Sequence, residues 1–242
     1  MSVPDQPSLP QVPPWPRPYR IGRARRAVDL AVATTTALLV APLLAVAVLL
    51  IRMSGPGPVL HRATRVGEGG RDFSLYKLRT MRPGPGPAVT GADDPRITRL
   101  GALLRRTSID ELPQLWNVIR GDMTLVGPRP EGRELADRYP AECRSILEVR
   151  PGLTGPAQLR FRERSATPPP GWDIERWYLE VMVPRRVALD LEYLANPTLG
   201  RTLGYLVLTA MFVVGLASTE ETTSGSQRAF RHSPVTRSNS KL

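Results

Sequence analysis

The longest apolar segment of the chain predicts a membrane helix near the N-terminus. Residues 30–51, LAVATTTALLVAPLLAVAVLLI, are 22 positions without a charge, enough helix at about 1.5 Å per residue to cover roughly 30 Å of hydrocarbon. Arginines flank this segment on both sides, so the positive-inside tendency places both of its ends in the cytoplasm. Pro42, near the middle, removes a backbone donor. We expect a re-entrant helix over 20–52, broken at Pro42, with an ordinary kinked span as the alternative.

The polar and apolar pattern after this segment predicts a hairpin followed by helices. Two short strands, about 58–66 and 72–79, flank the glycine-rich turn GEGG. Residues 82–95 are rich in Pro and Gly and predict a loop. Helical periodicity is found at about 96–106, 112–120, 131–147 and 174–195. The apolar run 202–219 is borderline for a membrane span and favours an interfacial helix.

These elements predict an α+β fold that is mostly helical, with one short β-hairpin, in a monotopic membrane protein. The expected organisation is a disordered Pro-rich tail 1–19, the membrane helix 20–52, a cytoplasmic domain 53–198, an apolar membrane-associated helix 199–219 and a disordered tail 220–242. The single cysteine, Cys143, excludes an internal disulfide framework and fits a reducing compartment.

The charge of the chain implies an anionic partner. Its net charge is +11 and its pI is about 10.8, which suits nucleic acid, anionic lipid headgroups or a phosphorylated substrate. Almost all of the positive charge is arginine, and Lys77 is the one lysine outside the C-terminal tail. A compact point charge is then either required at this position, or Lys77 is a chance surface residue.

The segment TSIDELPQLWNVIRGDM places two adjacent carboxylates, Asp110 and Glu111, before a helix. Pro113 suits the first helical position, so the pair lies near the exposed N–H groups, where the dipole favours anions. One face of the helix is predicted to be buried through Leu112, Leu115, Trp116 and Ile119. A purely structural alternative is a capping box formed by Ser108 and Glu111.

Arginines surround this pair in the sequence, and they allow two interpretations. They are Arg96, Arg99, Arg105 and Arg106 before the pair, and Arg129 and Arg133 after it. They can neutralise the carboxylates as ion pairs. Alternatively, they can clamp a diphosphate, which leaves one carboxylate as a nucleophile and the other to hold a divalent cation. The adjacent carboxylates point in different directions, which favours two distinct roles.

Several ordered motifs now identify a resemblance. They are SGPGPV, YKLRTM, DDPRITRLG, LRRTSIDELPQLWNVIRGDM, LVGPRPE and RPGLTG. Over about residues 20–218 the chain resembles the bacterial sugar transferases, the polyprenyl-phosphate phosphoglycosyltransferases of monotopic type. Its length looks like the minimal catalytic form of that family.

The resemblance implies a two-step exchange at the cytoplasmic face of the inner membrane. Asp110 matches the nucleophile that attacks the β-phosphate of a UDP-sugar, releases UMP and becomes a covalent phosphosugar ester. Polyprenyl (undecaprenyl) phosphate then accepts the sugar phosphate, which initiates exopolysaccharide, O-antigen or glycan assembly. Glu111 matches the carboxylate that binds Mg²⁺.

The resemblance also implies which residues bind the substrate, and the sequence departs from the family pattern at two places. Arg105 matches the phosphate-binding arginine, Lys77 and Arg79 match the KxRTM element, and Arg129 with Pro130 match an element on the nucleotide side. The family usually has Ser-Pro at the helix break, where this chain has Ala41-Pro42. The region after RPGLTG, at about 160–180, is longer than the minimal pattern. It is interpreted equally as part of the sugar pocket or as a tolerated surface insertion.

Two other classes of function stay open. A membrane-anchored nucleic-acid-binding protein explains the basic charge, but the chain has no recognisable groove-reading module and its aromatic content is only 6%. A scaffold without catalysis predicts that changes at Asp110, Glu111 and Arg105 are silent. We expect the transferase, with UDP-sugar, polyprenyl phosphate and membrane lipids as partners and no nucleic acid. A homodimer and the identity of the sugar are left open.

Overall fold

The computed structural model describes residues 21–82, 84, 94–161, 168 and 171–213. Both predicted tails, and most of the predicted loop 82–95, lie outside these residues. The described helices are α1 Arg23–Met53, α2 Arg99–Thr107, α3 Gln114–Arg120, α4 Arg133–Ala136, α5 Pro156–Arg160, α6 Ile174–Trp177, α7 Val183–Ala195 and α8 Leu199–Val213. The strands are β1 Leu60–Val66, β2 Asp72–Leu78, β3 Thr124–Val126 and β4 Gly152–Thr154. The prediction of a mostly helical α+β fold is confirmed.

Helix α1 contacts the rest of the protein near both ends, and in its middle one face packs on the main core through Val40 while the opposite face is exposed. Near its start, Arg26 donates to the carbonyl oxygens of Val118 and Ile119 at 2.6 and 2.9 Å, and the carboxylate of the fully buried Asp29 accepts from the Thr124 hydroxyl. Near its end, Ile51 is buried in a cluster described below. Within the described residues, α1 is the helix long and apolar enough to cross a membrane. The helix continues through Pro42.

The predicted hairpin is confirmed as an antiparallel pair, β1 and β2. Its register sets His61 opposite Lys77 and Arg65 opposite Phe73, so these side chains share the face that is turned toward the protein. The turn between the strands contains Gly69 at φ 68°, a left-handed conformation that glycine adopts without a steric cost.

A second, parallel pair of three-residue strands, β3 and β4, was not predicted from the sequence. The two backbones come very close, because a Cβ on Gly152 would lie 2.1 Å from the nitrogen of Gly127. Around this pair lies the main core, whose buried side chains come from α3, β3, α7 and the 3-10 segment Ala141–Glu148. A smaller apolar cluster joins the end of α1 to β2 and α2 through Ala47, Ile51, Leu78 and Leu104.

Two local predictions are wrong. The helix predicted over 131–147 is divided into α4 and the separate 3-10 segment, and Pro140 lies between them, where its ring disfavours a continuous helix. Trp116, predicted to be buried, is 55% exposed, although Leu115 beside it is buried. The helix predicted over 174–195 is confirmed as α6 and α7 joined by the π-helical turn Tyr178–Met182.

Helix α8 has one docked face and one exposed apolar face. The Thr209 hydroxyl lies 2.8 Å from that of Thr154 on β4, and Thr202 lies 2.8 Å from the Tyr193 hydroxyl. The opposite face carries the exposed side chains Leu199, Leu203, Val207 and Met211 at intervals of one turn. An exposed apolar stripe of this kind suits a membrane surface or another protein.

Candidate active site

The carboxylate pair lies on a tight turn between α2 and α3. Ser108 ends α2 in the left-handed conformation, at φ 56°, and residues Ile109–Glu111 form one 3-10 turn. Ile109 packs against the small apolar cluster at the end of α1, which turns Asp110 inward. No side chain caps the start of this turn or of α3, so the predicted capping box is not formed.

Asp110 and Glu111 share one cation, Lys77 of β2. The Nζ atom of Lys77 lies 2.9 Å from Oδ2 of Asp110 and 3.5 Å from Oε1 of Glu111. The Asp110 side chain is only 2% exposed, whereas that of Glu111 is 23% exposed. Arg129 reaches the same Oε1 atom of Glu111 at 3.5 Å. The two carboxylates therefore differ, with Asp110 enclosed and Glu111 open to a further ligand.

Two opposing effects act on the charge of Asp110: its burial favours the neutral carboxyl, and the nearby cations favour the carboxylate. Burial raises the pKa of Asp110 above its usual range, the Lys77 ammonium lowers it, and the neighbouring Glu111 raises it. The Arg105 guanidinium also lowers this pKa, which shows that it lies within electrostatic reach. A buried carboxylate whose charge depends on a lysine is poised as a reactive group rather than as a surface charge.

Arg105 is held beside the pair by the residues that follow β2. Its Nε donates to the hydroxyl of Thr80 at 3.0 Å, and its Nη2 lies 3.1 Å from the sulfur of Met81. Thr80 is itself buried. Two groups predicted to bind phosphate, Lys77 and Arg105, are thus oriented by one short stretch of chain.

Arg129 is placed by a buried polar network behind it. Glu131 accepts hydrogen bonds from the hydroxyls of Tyr139 at 3.0 Å and Tyr178 at 2.5 Å, and the Gly132 N–H donates to its other oxygen at 3.0 Å. Glu131, Tyr139 and Tyr178 line a small pocket of about 30 Å³ together with Arg129. The network fixes the loop that presents Arg129 to Glu111.

Other arginines singled out from the sequence contact groups other than the carboxylate pair. Arg96 pairs with Asp94 at 2.6 Å and Arg133 pairs with Asp72, so these two form ion pairs with carboxylates other than Asp110 and Glu111. Arg79 is directed away from the pair, toward backbone carbonyls at the end of α1. Its role as a phosphate ligand stays a prediction, as does the nucleotide contact of Pro130, which is buried.

Sequence reasoning missed four residues of this region. Thr80 and Glu131 lie in the motifs YKLRTM and LVGPRPE, where a hydroxyl and a carboxylate were signals for a buried hydrogen bond. Tyr178 comes from the long region after RPGLTG, and its burial there shows that this part of the region packs into the protein. His61 faces Lys77 only through the strand register; burial lowers its pKa, and the charges of Arg65 and Lys77 lower it further.

Among the groups of this site, the partly exposed carboxylate of Glu111 is the one that could hold a hard divalent cation. No group of three or more metal-ligating side chains occurs in residues 21–82, 84, 94–161, 168 and 171–213. Mg²⁺ commonly takes one or two carboxylates and fills its other positions with phosphate oxygens and water. The partly exposed Glu111 beside Asp110 supplies such oxygens, and the nearby cations attract the phosphates.

Comparison with known proteins agrees with the motifs. The sequence profile of the family described as bacterial sugar transferase matches residues 21–215. A UDP-glucose:undecaprenyl-phosphate glucose-1-phosphate transferase of Caulobacter vibrioides is 42% identical over 203 residues, 81% of this chain and 71% of that protein. An Escherichia coli protein of the same name is 40% identical over 180 residues, 70% of this chain but only 36% of that protein.

A third relative has a size close to that of this chain. The exopolysaccharide production protein PSS of Rhizobium leguminosarum is 40% identical over 182 residues, which cover 71% of this chain and 86% of that protein. The family match, residues 21–215, spans the apolar N-terminal helix, the hairpin and the carboxylate pair of this chain. The chain belongs to the bacterial sugar transferase family.

Proposed function

We propose that this protein transfers a sugar-1-phosphate from a UDP-sugar to undecaprenyl phosphate and releases UMP, as the initiating step of exopolysaccharide, O-antigen or glycan synthesis. The observation that carries the proposal is the buried Asp110, which lies 2.9 Å from Lys77 and beside the more exposed Glu111. The names of the relatives from Caulobacter and Escherichia support the acceptor and the type of donor. That of the Rhizobium relative supports the pathway.

In the first step, Asp110 acts as the nucleophile. A carboxylate oxygen of Asp110 attacks the β-phosphorus of the donor, and the bond from this phosphorus to the bridging oxygen breaks. UMP leaves with the bridging oxygen and the electron pair, and no proton is transferred. Arg105 and Arg129 bind the phosphate oxygens, where they neutralise the charge that develops during the displacement.

In the second step, an oxygen of the lipid phosphate attacks the same phosphorus. The bond between this phosphorus and the Asp110 oxygen breaks, the carboxylate is restored, and the lipid diphosphate sugar is formed. Two displacements through one carboxylate allow donor and acceptor to use the same site in turn. Lys77 stabilises the carboxylate each time it reappears, because its ammonium lies in contact with Oδ2.

Glu111 is the residue we assign to Mg²⁺. The ion, when bound, would withdraw charge from the phosphate oxygens of the donor. Glu111 keeps part of its carboxylate exposed for this contact, and Arg129 fixes its orientation through Oε1.

The contacts of α1 support a re-entrant anchor with both ends on the cytoplasmic side of the inner membrane. The start of α1 binds α3, and its end packs on Leu78 of β2. Asn117 of α3 bonds the backbone of Ser74 and Tyr76 on β2, so the two anchoring surfaces belong to one small body. A single body that binds both ends of α1 favours an arrangement in which both ends lie on the same side of about 30 Å of hydrocarbon. The exposed apolar face of α8 would lie on the same membrane surface.

The proposal is tested by peptide mass spectrometry of protein held in nanodiscs. With Mg²⁺, a panel of UDP-sugars and no acceptor, we expect a phosphosugar adduct on Asp110, whose mass identifies the sugar. The variant Asp110→Asn should form no adduct while its membrane binding is unchanged. If adding undecaprenyl phosphate produces neither UMP nor a lipid product with any donor, the transferase proposal is wrong.

The topology is tested by labelling introduced cysteines. Cys143 is fully buried, so its replacement by Ser or Ala should give a clean background. Cysteines placed near residues 20 and 55 should both react from the cytoplasmic side, and opposite accessibilities would exclude the re-entrant anchor. The homodimer stays a prediction, which native mass spectrometry of the nanodisc-held protein addresses.

A further inference from the structure

One arginine after β2 binds the carboxyl end of the membrane helix. Arg79 Nη2 donates to the carbonyl oxygens of Ile51 at 2.9 Å and Gly55 at 2.8 Å. Its Nη1 donates to the carbonyl oxygen of Pro56 at 2.7 Å, and its backbone N–H donates to that of Val59 at 2.8 Å. The exit loop, residues 54–58, therefore wraps around the guanidinium.

The exit loop is shaped for this contact. Gly57 has a φ of 109°, a conformation that favours glycine, and a Cβ at that position would lie 2.8 Å from Nη1 of Arg79 and displace it. The carbonyl of Ile51, in the last turn of α1, also accepts from the Ser54 hydroxyl at 2.8 Å and from the Ser54 N–H at 3.2 Å, so Arg79 adds to the groups that cap this helix end. The helix dipole also favours a cation at this end. A planar guanidinium can serve three carbonyls together, which an ammonium does less well.

The residues on either side of Arg79 belong to the candidate active site. Two positions before it, Lys77 contacts Asp110 at 2.9 Å. Directly after it, the Thr80 hydroxyl accepts from Arg105 at 3.0 Å. A stretch of four residues thus contacts the membrane helix with one side chain and the reactive groups with two others. The position of α1 and that of the catalytic groups are mechanically linked through this stretch.

We propose that Arg79 is a positioning residue that fixes the height of the Asp110 site relative to the membrane helix, and that it serves the lipid acceptor rather than the soluble donor. This inference rests on the proposed function. The acceptor phosphate is confined to a narrow depth because its tail stays in the hydrocarbon, whereas a UDP-sugar approaches freely from water. A shift of α1 against β2 should therefore weaken the second displacement more than the first.

The test compares the two half-reactions in nanodiscs for Arg79→Met, Arg79→Lys and Arg71→Met. Arg71 is an exposed arginine at the far end of the same hairpin, and its variant serves as the matched control. The phosphate-binding role that the resemblance implies for Arg79 predicts loss of UMP release in Arg79→Met, whereas the positioning role predicts that UMP release without acceptor stays within about 3-fold of wild type. The KM for undecaprenyl phosphate should rise about 10-fold or more, since several charge-assisted hydrogen bonds are lost. A short-chain, water-soluble polyprenyl phosphate should remove most of the difference, and Arg79→Lys should be intermediate.

A second readout does not depend on turnover. Hydrogen exchange of the exit loop should accelerate in Arg79→Met and stay unchanged in Arg71→Met, even if the wild-type protein transfers no sugar. Equal losses in both half-reactions, in proportion to the folded fraction, would contradict the proposal. If Arg79→Met abolishes donor reaction as Arg105→Met does, Arg79 is a phosphate ligand and the inference is wrong. Unchanged exchange together with unchanged KM would also overturn it.

Discussion

The charge state of Asp110 should depend on Lys77, and the variant Lys77→Met tests this directly. Burial raises the pKa of Asp110 and Lys77 opposes the rise, so removing the ammonium should raise this pKa further. A protonated carboxyl is a poor nucleophile. The acid limb of the first half-reaction, along which the rate falls as the pH is lowered, should therefore move to higher pH in Lys77→Met.

The size of the effect follows from the contact. The Nζ–Oδ2 distance is 2.9 Å and the Asp110 side chain is only 2% exposed, so water cannot readily replace the lost donor. A hydrogen bond to a charged group contributes about 1.5–3 kcal/mol, which corresponds to roughly 10- to 100-fold in the rate below the limb. Lys77→Arg, which keeps the charge, should recover part of this loss.

The assay is rapid-quench measurement of UMP release without acceptor, from about pH 5 to about pH 9, the range in which such limbs are resolved. At pH values above the acid limb, where the rate no longer changes with pH, Asp110 is ionised in both proteins. The rate of UMP release there reports separately on donor binding by Lys77. If the limb of Lys77→Met lies at the same pH as that of wild type, or at a lower pH, the proposed coupling between Lys77 and Asp110 is refuted.

Substitutions at three further positions test the contacts that hold the site and the fold. Thr80→Val should slow UMP release about 10-fold because Arg105 loses its acceptor, whereas Thr80→Ser should retain most of the activity in the same rapid-quench assay. Burial raises the pKa of Asp190 to about 7; the folded state then binds more protons than the unfolded state, so stability falls as the pH rises from about 4 to about 7. Urea unfolding should show this fall in wild type and a flatter profile in Asp190→Asn. Asp29→Ala removes the acceptor of the Thr124 hydroxyl, which lies 2.6 Å away, and should increase the rate of hydrogen exchange at β3. Asp29→Asn, which keeps an acceptor oxygen, should restore part of the wild-type protection.

The local elements were predicted where the sequence signal was long or regular. The hairpin was expected at about 58–66 and 72–79 and is found at Leu60–Val66 and Asp72–Leu78, because two alternating runs around GEGG leave few other arrangements. The parallel strands β3 and β4 were missed because three residues carry no periodic signal. Their register pairs Thr124 with Gly152, 28 positions further along the chain, and brings Gly152 into close contact with Gly127.

The exposure of Trp116 shows how the same periodicity can mislead. The spacing of Leu112, Leu115, Trp116 and Ile119 indicates one apolar face, but a helix in a membrane-associated protein can have apolar neighbours that are not protein. Trp116 is 55% exposed, and tryptophan is a residue type enriched at membrane–water boundaries. Periodicity identifies which residues avoid water, and it does not identify what covers them.

The sequence by itself determined the apolar N-terminal helix, the hairpin, the adjacent carboxylates and the family, since each depends on residue types at short spacing. Tertiary structure decided which cation serves which anion. It brought Lys77 to Asp110 and turned Arg79 to the end of α1, although both belong to the same motif. The physical reason is that positions 77 and 79 would share one face of a continued strand, but β2 ends at Leu78. Beyond that residue, only the packing of α1, α2 and β2 determines where the side chain of Arg79 lies.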